Sequence, residues 1–213
     1  MRTIVFATQK GGSGKSILAA CLAVAAQAAG ERVFVFDLDP KKCLVRWGVK
    51  RNDRSLPVRA ISSDGLAAKL INVRARNASL VILDTPALDW PMSLAAINAA
   101  DLAIVPVRPA TFDIWASEVT GRKLKMMDKE FVFLPNQCPR AQDDMHLREC
   151  IAALEATGPV LSPAIRARNV FLSAERTGKG VSEIEPKGEV AREMRAVWLA
   201  LKRRLPPRKS QPS

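Results

Sequence analysis

Lys10-Gly11-Gly12-Ser13-Gly14-Lys15-Ser16 follows the apolar run Ile4-Val5-Phe6-Ala7 and precedes a stretch of strong helix formers. Residues of these types at this spacing can hold a polyphosphate. Glycines permit a tight turn that points successive N–H groups inward, and a following helix adds the positive end of its dipole. Lys15 offers a point charge to β- and γ-phosphates, and the Ser16 hydroxyl offers a hard oxygen to magnesium. The general pattern G-x-x-x-x-G-K-[ST] is altered here, because Gln9 stands where its first glycine belongs. The glycines are shifted inward and a second lysine, Lys10, stands at the loop entrance. A glycine-rich turn with a surface lysine pair is the bland alternative; the strand signal before the loop and the helix signal after it weigh against that.

Two acidic stretches also close apolar runs: Asp37-Leu38-Asp39-Pro40 and Asp84-Thr85-Pro86. At the carboxyl edge of a sheet beside the loop, such carboxylates can hold a cation directly or through water, and one of them can orient an attacking water. Aspartate after a strand can equally cap a helix. For Asp84 taken alone the two readings are comparable; the phosphate loop in the same chain favours the metal role.

Elements that would position these groups are visible as short β-branched or apolar runs at 3–8, 32–37, 79–84, 101–106 and 131–135. They are near-continuous rather than alternating, as strands covered on both faces are. Helical patterns fall between them at about 14–29, 41–48, 64–77, 91–99, 113–128 and 142–157. The alternation predicts an α/β fold: a doubly wound, mostly parallel sheet flanked by helices, with ligands at the carboxyl ends of its strands. The pattern loosens after residue 158 and returns over 187–205, where Val190, Met194, Val197, Trp198, Leu201 and Leu205 form one stripe. Residues 1–205 are expected to form a single domain, and Pro206-Pro207 to open a disordered tail over 206–213.

With 48% hydrophobic and 25% charged residues the chain has the composition of a globular protein. No apolar run reaches the roughly 20 residues that span a bilayer, and the chain opens on a strand rather than a signal peptide, so a cytoplasmic location is expected. Cys21, Cys43, Cys138 and Cys150 have no C-x-x-C spacing and one histidine, His146, to accompany them, which supports neither a disulfide framework nor a zinc site. Net charge is +12, and from Val160 onward twelve Lys/Arg face five acids, a local excess of +7. Such an imbalance suits a polyanion, either nucleic acid or an anionic membrane surface, and also a merely solvated basic face.

Taken together, the loop, Asp37-Leu38-Asp39-Pro40, Asp84-Thr85-Pro86 and the strand end Ile104-Val105-Pro106-Val107 resemble the ParA/MinD family of deviant Walker ATPases, most of all its small ParA partition proteins. The resemblance implies a P-loop NTPase of the SIMIBI-like class that uses ATP and Mg2+. By this likeness Gly11, Gly12, Ser13, Gly14, Lys15, Ser16 and Ile17 cradle the nucleotide, and Lys15 grips phosphate within its own subunit. Ser16 binds magnesium, Asp84 holds it through water, Asp37 supports the metal and the switch region, and Asp39 positions the hydrolytic water. Lys10 reaches across an ATP-sandwich homodimer to the partner's phosphates, and Asn136 is a candidate adenine contact, although a lone loop Asn is more often a turn residue. Two departures stand out. Lys41-Lys42 follows Asp37-Leu38-Asp39-Pro40 where the family often has Gln, and no helix-turn-helix region precedes the loop, so operator-specific autoregulation is not expected.

The leading expectation is therefore a slow, partner-stimulated partition ATPase that binds non-specific DNA on the nucleoid as an ATP dimer, released by a ParB-like centromere- or cargo-binding adaptor. Arg166, Arg168, Arg192, Arg195, Lys202 and Arg203 are the candidate DNA contacts. A MinD-like membrane cycle through the basic amphipathic 187–205 helix is a second expectation, and the polar, prolyl tail speaks against it. Positioning of a protein cluster or of transferred DNA is a third. A tyrosine-kinase use of the loop is disfavoured by the absence of any Tyr.

Overall fold

Successive residues of the five longer strands feed two separate cores. Ile4 and Phe6 of β1 (Arg2–Phe6), Val33 and Val35 of β2 (Val33–Asp37), and Leu80 and Ile82 of β4 (Leu80–Asp84) enter one; Val5, Phe34, Phe36, Val81 and Leu83 enter the other. With both faces buried, no polar alternation is left to read, which is the strand pattern of a parallel sheet. The remaining strands are β3 (Val58–Ala60), β5 (Leu102–Val107) and β6 (Phe131–Pro135). All five pairings are parallel, in the order β3-β2-β4-β1-β5-β6. The computed structural model describes residues 1–86, 90–139 and 145–207.

On one face lie α1 (Lys15–Ala28), α2 (Cys43–Arg51), α7 (Val170–Thr177), α8 (Val181–Ile184) and α9 (Glu189–Arg204). The other is covered by α3 (Leu66–Ala75), α4 (Trp90–Ala99), α5 (Thr111–Met126) and α6 (Met145–Glu155). Five strands and the long helices follow the sequence expectation to within a few residues. The sheet is wholly parallel rather than mostly so, and β3, α7 and α8 were not expected. The first three residues of the expected 142–157 helix, and most of the expected tail, fall outside the described residues. Among those described, no helix is long and apolar enough to cross a membrane.

An ionic cluster ties β1 and α9 to the connections leading into β2 and β4 at the amino end of the sheet. The Arg2 guanidinium donates to Glu31 Oε1 at 2.7 Å, Lys202 Nζ of α9 lies 3.2 Å from the same oxygen, and the Ser79 hydroxyl donates to Oε2. Burial works to raise the Glu31 pKa, but Ser79, Arg2 and Lys202 outweigh it and hold the carboxyl down at about 2. Glu31→Ala is expected to cost about 3–5 kcal/mol, because it strands a buried arginine. At 2–4 °C per kcal/mol the melting temperature should fall by roughly 6–20 °C, which calorimetry would read. Since the folded pKa lies below the unfolded one, the wild-type advantage is full above pH 4.5 and drains away as pH falls toward about 2. A gap between the two proteins that stays constant down to that pH would contradict this.

Candidate active site

β1 ends at Phe6 and α1 begins at Lys15, so the loop between them lies at the carboxyl edge in the middle of the sheet. Gly12 and Gly14 adopt left-handed backbone, φ +78° and +89°, which explains glycine at both positions. A side chain at Gly14 would also meet Asn136, whose Nδ2 would lie 2.5 Å from the added Cβ. Gly11 and Gly12 are exposed and Ser13 is buried. Thr85, beyond β4, donates its hydroxyl to the Phe6 carbonyl at 2.8 Å, and the Lys10 amide donates to Thr8 Oγ1 at 3.2 Å. Both bonds fix where the loop leaves the sheet.

The two lysines differ in setting. Lys15 is 8% exposed, and burial lowers its pKa, while the Asp84 and Asp39 carboxylates work to raise it and Lys41 adds to the lowering. Lys10 stays partly exposed at the loop entrance.

Sheet alternation places two of the carboxylates. Asp37 continues the Val33–Val35 row and Asp84 the Leu80–Ile82 row; the two are register partners on the face that α1 covers. Asp84 is fully buried; no donor reaches either of its oxygens in good hydrogen-bond geometry, although the Ser16 hydroxyl lies near enough to act on the carboxyl. Burial pushes it up to about 7, with Asp37 and Asp39 adding and the Ser16 hydroxyl and Lys15 opposing. Ser13 Oγ is likewise buried without a partner. Orphaned buried polar atoms are costly. A hydrated divalent cation beside Asp84 and Ser16 would satisfy the carboxylate with the hard oxygen donors magnesium prefers, so the residues present fit that ion.

Asp37 accepts from the Asp39 amide at 3.0 Å and from the Val45 amide in the first turn of α2 at 3.1 Å. Burial raises its pKa, against the pull of those amides. The helix-capping alternative thus describes the contacts Asp37 makes. Asp39 is half-buried, and its Oδ1 accepts from the Lys41 amide at 2.9 Å, shaping the turn that leads into α2.

Asn136 lies just past β6, and its backbone and side chain bind in different directions. Its backbone amide donates to the Val107 carbonyl at 2.8 Å, and Nδ2 donates to the Ser13 carbonyl at 2.8 Å. Gln137, at φ +55°, donates Nε2 to the Gly12 carbonyl at 3.1 Å. The two carboxamides brace the loop from the β6 side, a role that nothing in the sequence near residue 136 signals. A second feature missed in sequence is the two-bond fork from Arg108 to Asp113, at 3.0 and 3.1 Å, where the chain passes from β5 into α5.

The basic candidates do not form one group. Arg168 is buried in a fork with Glu193 and also reaches Glu189, and Lys202 is paired with Glu31. Arg166 donates to the Pro139 carbonyl. Arg192, Arg195 and Arg203 are exposed along α9, opposite the buried row Val190, Met194, Val197, Trp198 and Leu201.

A six-stranded parallel sheet with a glycine loop leading into its central helix, and carboxylates on neighbouring strand ends, defines a P-loop nucleotide-binding protein. More closely, residues 4–185 match the model of the CobQ/CobB/MinD/ParA nucleotide-binding domain, and the chain belongs to that family. It is similar to the maintenance of carboxysome distribution protein A of Halothiobacillus neapolitanus, 28% identical over 89% of this chain and 90% of that one. Protein ParA of Rhizobium radiobacter is also 28% identical, over 87% of this chain and 77% of its own. Among solved structures, the septum site-determining protein MinD of Pyrococcus horikoshii, complexed with Mg-ADP, superposes with a TM-score of 0.74 at 18% identity, over 92% of this chain and 94% of that one.

Proposed function

We propose that residues 1–205 act as one ParA-type ATPase domain that pairs around ATP, binds DNA without reading its sequence, and hydrolyses ATP to position a cargo. The observation that carries this is the contrast between the loop lysines: Lys15 is buried against Asp84 and Asp39, whereas Lys10 is left partly exposed. One serves the phosphates of its own subunit; the other is available to a second copy. Exposed Phe112 and Trp115, in edge-to-face contact at 5.6 Å in the first turns of α5, add apolar surface beside the same edge of the sheet.

In this reading Ser16, Asp84 and Asp37 hold Mg2+, which draws charge from the β- and γ-phosphates when bound. Lys15 neutralises the phosphates, the loop amides orient them, and Asp39 on its turn positions the water. Asn136 and Gln137 keep the loop carbonyls turned away from the nucleotide, and Asn136 Oδ1 is left to meet the base. Completion of the site by Lys10 of a second subunit makes basal turnover slow, and an adaptor that favours the paired state speeds it. Relatives named for carboxysome distribution and for ParA match at the same identity, which supports a cargo of either kind, a protein body or DNA, engaged through a ParB-like adaptor.

DNA contact falls to exposed Arg192, Arg195 and Arg203, which pairing doubles to six. In this reading the ATP-bound protein sits on the nucleoid within the cytoplasm. The apolar face of α9, fully buried Trp198 included, is taken by the core and is not available as a membrane anchor. Non-specific duplex should therefore bind with ATP alone and lose affinity by roughly 10³-fold between 50 and 200 mM salt, the loss expected for about six phosphate contacts. Equal binding with ATP, ADP and no nucleotide, measured by fluorescence anisotropy, would sink the switch.

A further inference from the structure

Three strands away from β1 and the phosphate loop, the sheet ends in an uncovered furrow. β3 is three residues long and lies at the edge; a cavity of about 880 Å³ runs along it between α2 and α3. It wraps round the strand: on the α2 side its lining is apolar, with Val45 and Val49, the latter 74% exposed, and on the α3 side Phe34 and Ile61 share the face with Lys69 and Arg76. The polar lining is one-sided. Arg54, Arg59, Lys69 and Arg76 contribute four positive charges, and the single acid, Asp53, is already held by Arg51 and by Ser55.

The backbone of the edge is also open. The Val35 amide donates to the Pro57 carbonyl and the Ile61 amide to the Asp37 carbonyl, so Pro57 and Ile61 face β2. By strand alternation the Val58 carbonyl and the Ala60 amide face outward. The Val58 carbonyl accepts from the Arg59 side chain next to it at 3.0 Å. Edge strands of soluble proteins are blunted by charge or covered, and arginine performs the first of these here.

We infer that this furrow binds an extended, acidic, amphipathic segment of a partner protein, which adds to β3 as a further strand. Apolar side chains on one face of such a segment pack on Val45 and Val49 on the α2 side, carboxylates on the other meet Arg59, Lys69 and Arg76 on the α3 side, and its backbone pairs with the Ala60 amide. A lipid surface is too flat to reach the floor, and a nucleic acid would leave the apolar floor unfilled. The inference rests on the sheet edge and is independent of the nucleotide site.

The test uses the full chain, labelled with 15N, and a short synthetic peptide of alternating glutamate and valine at low salt. Binding should move the amides of Val58–Ile61 and slow exchange of the Ala60 amide. Joint substitution Arg59→Glu with Arg76→Glu should weaken it about tenfold, since two exposed ion pairs are lost together. Ala60→Pro removes the outward amide without changing charge and should weaken it too, while a dispersed spectrum reports an intact fold. The inference is overturned if the lysine-for-glutamate peptide binds as well, or if no shift appears at millimolar peptide. It also falls if the shifts lie elsewhere, or if anionic phosphatidylserine vesicles or a short duplex occupy the furrow in preference to the peptide.

Discussion

Lys15→Ala is expected to abolish measurable ATP binding while leaving the fold intact. The ammonium sits 8% exposed beside Asp84 and Asp39, and burial has already lowered its pKa. In the nucleotide-free protein it therefore gains little from its site, and its removal should cost little stability. With a triphosphate bound, the same charge meets two phosphate groups in surroundings that water reaches poorly. Truncating one partner of such a pair costs about 2–5 kcal/mol, or roughly 30- to 4,000-fold in Kd. Lys15→Arg should fail nearly as badly, because a planar guanidinium does not fit where a compact ammonium is enclosed by the loop. Titration with a fluorescent ATP analogue, alongside a thermal melt, separates the outcomes. Wild-type affinity in Lys15→Ala would remove this residue from the site.

How much of this could be read beforehand depended on how local each cause is. β1, β2, β4, β5 and β6 declared themselves because burial on both faces selects unbroken apolar runs. β3 did not: it has three residues, two of them exposed Arg59 and Ala60, and its strand character comes from pairing with β2. The short α7 and α8, parted by Gly178 and Gly180, were hidden for a similar reason. They are held from outside, α7 in part by the Trp47 indole N–H, which donates to the Ala174 carbonyl from 127 residues away.

The site divides along the same line. The loop and each acidic strand end are short runs of consecutive residues and were legible as chemistry. The Asn136 brace joins residues 123 apart, and the Arg168 fork joins it to Glu193 across 25. A basic residue in a one-dimensional count looks available for DNA until its buried partner is found, which is why Arg168 and Lys202 entered the candidate set.

Lys10→Ala should give the opposite separation from Lys15→Ala. Nucleotide affinity of the isolated subunit should stay within a few-fold of wild type, because Lys10 is partly exposed at the loop entrance and Lys15 with the loop amides remains. Pairing and turnover should fail together. A cation supplied in trans to transferring phosphate is worth roughly 10³-fold or more in rate, and single-turnover hydrolysis should fall on that scale. Light scattering with ATP should show monomer, and ATP-dependent DNA binding should vanish with the pair. The decisive arm mixes the two variants. In a heterodimer, the Lys10→Ala subunit keeps its own Lys15 and receives Lys10 from a Lys15→Ala partner, so one of the two sites is complete. Because neither variant pairs with itself, every dimer that forms is mixed and carries one complete site of two, so activity should recover to at most about half of wild type. Recovery identifies a lysine acting between subunits; a mixture as inactive as its components places Lys10 within its own subunit, and undiminished turnover in Lys10→Ala alone denies it any part.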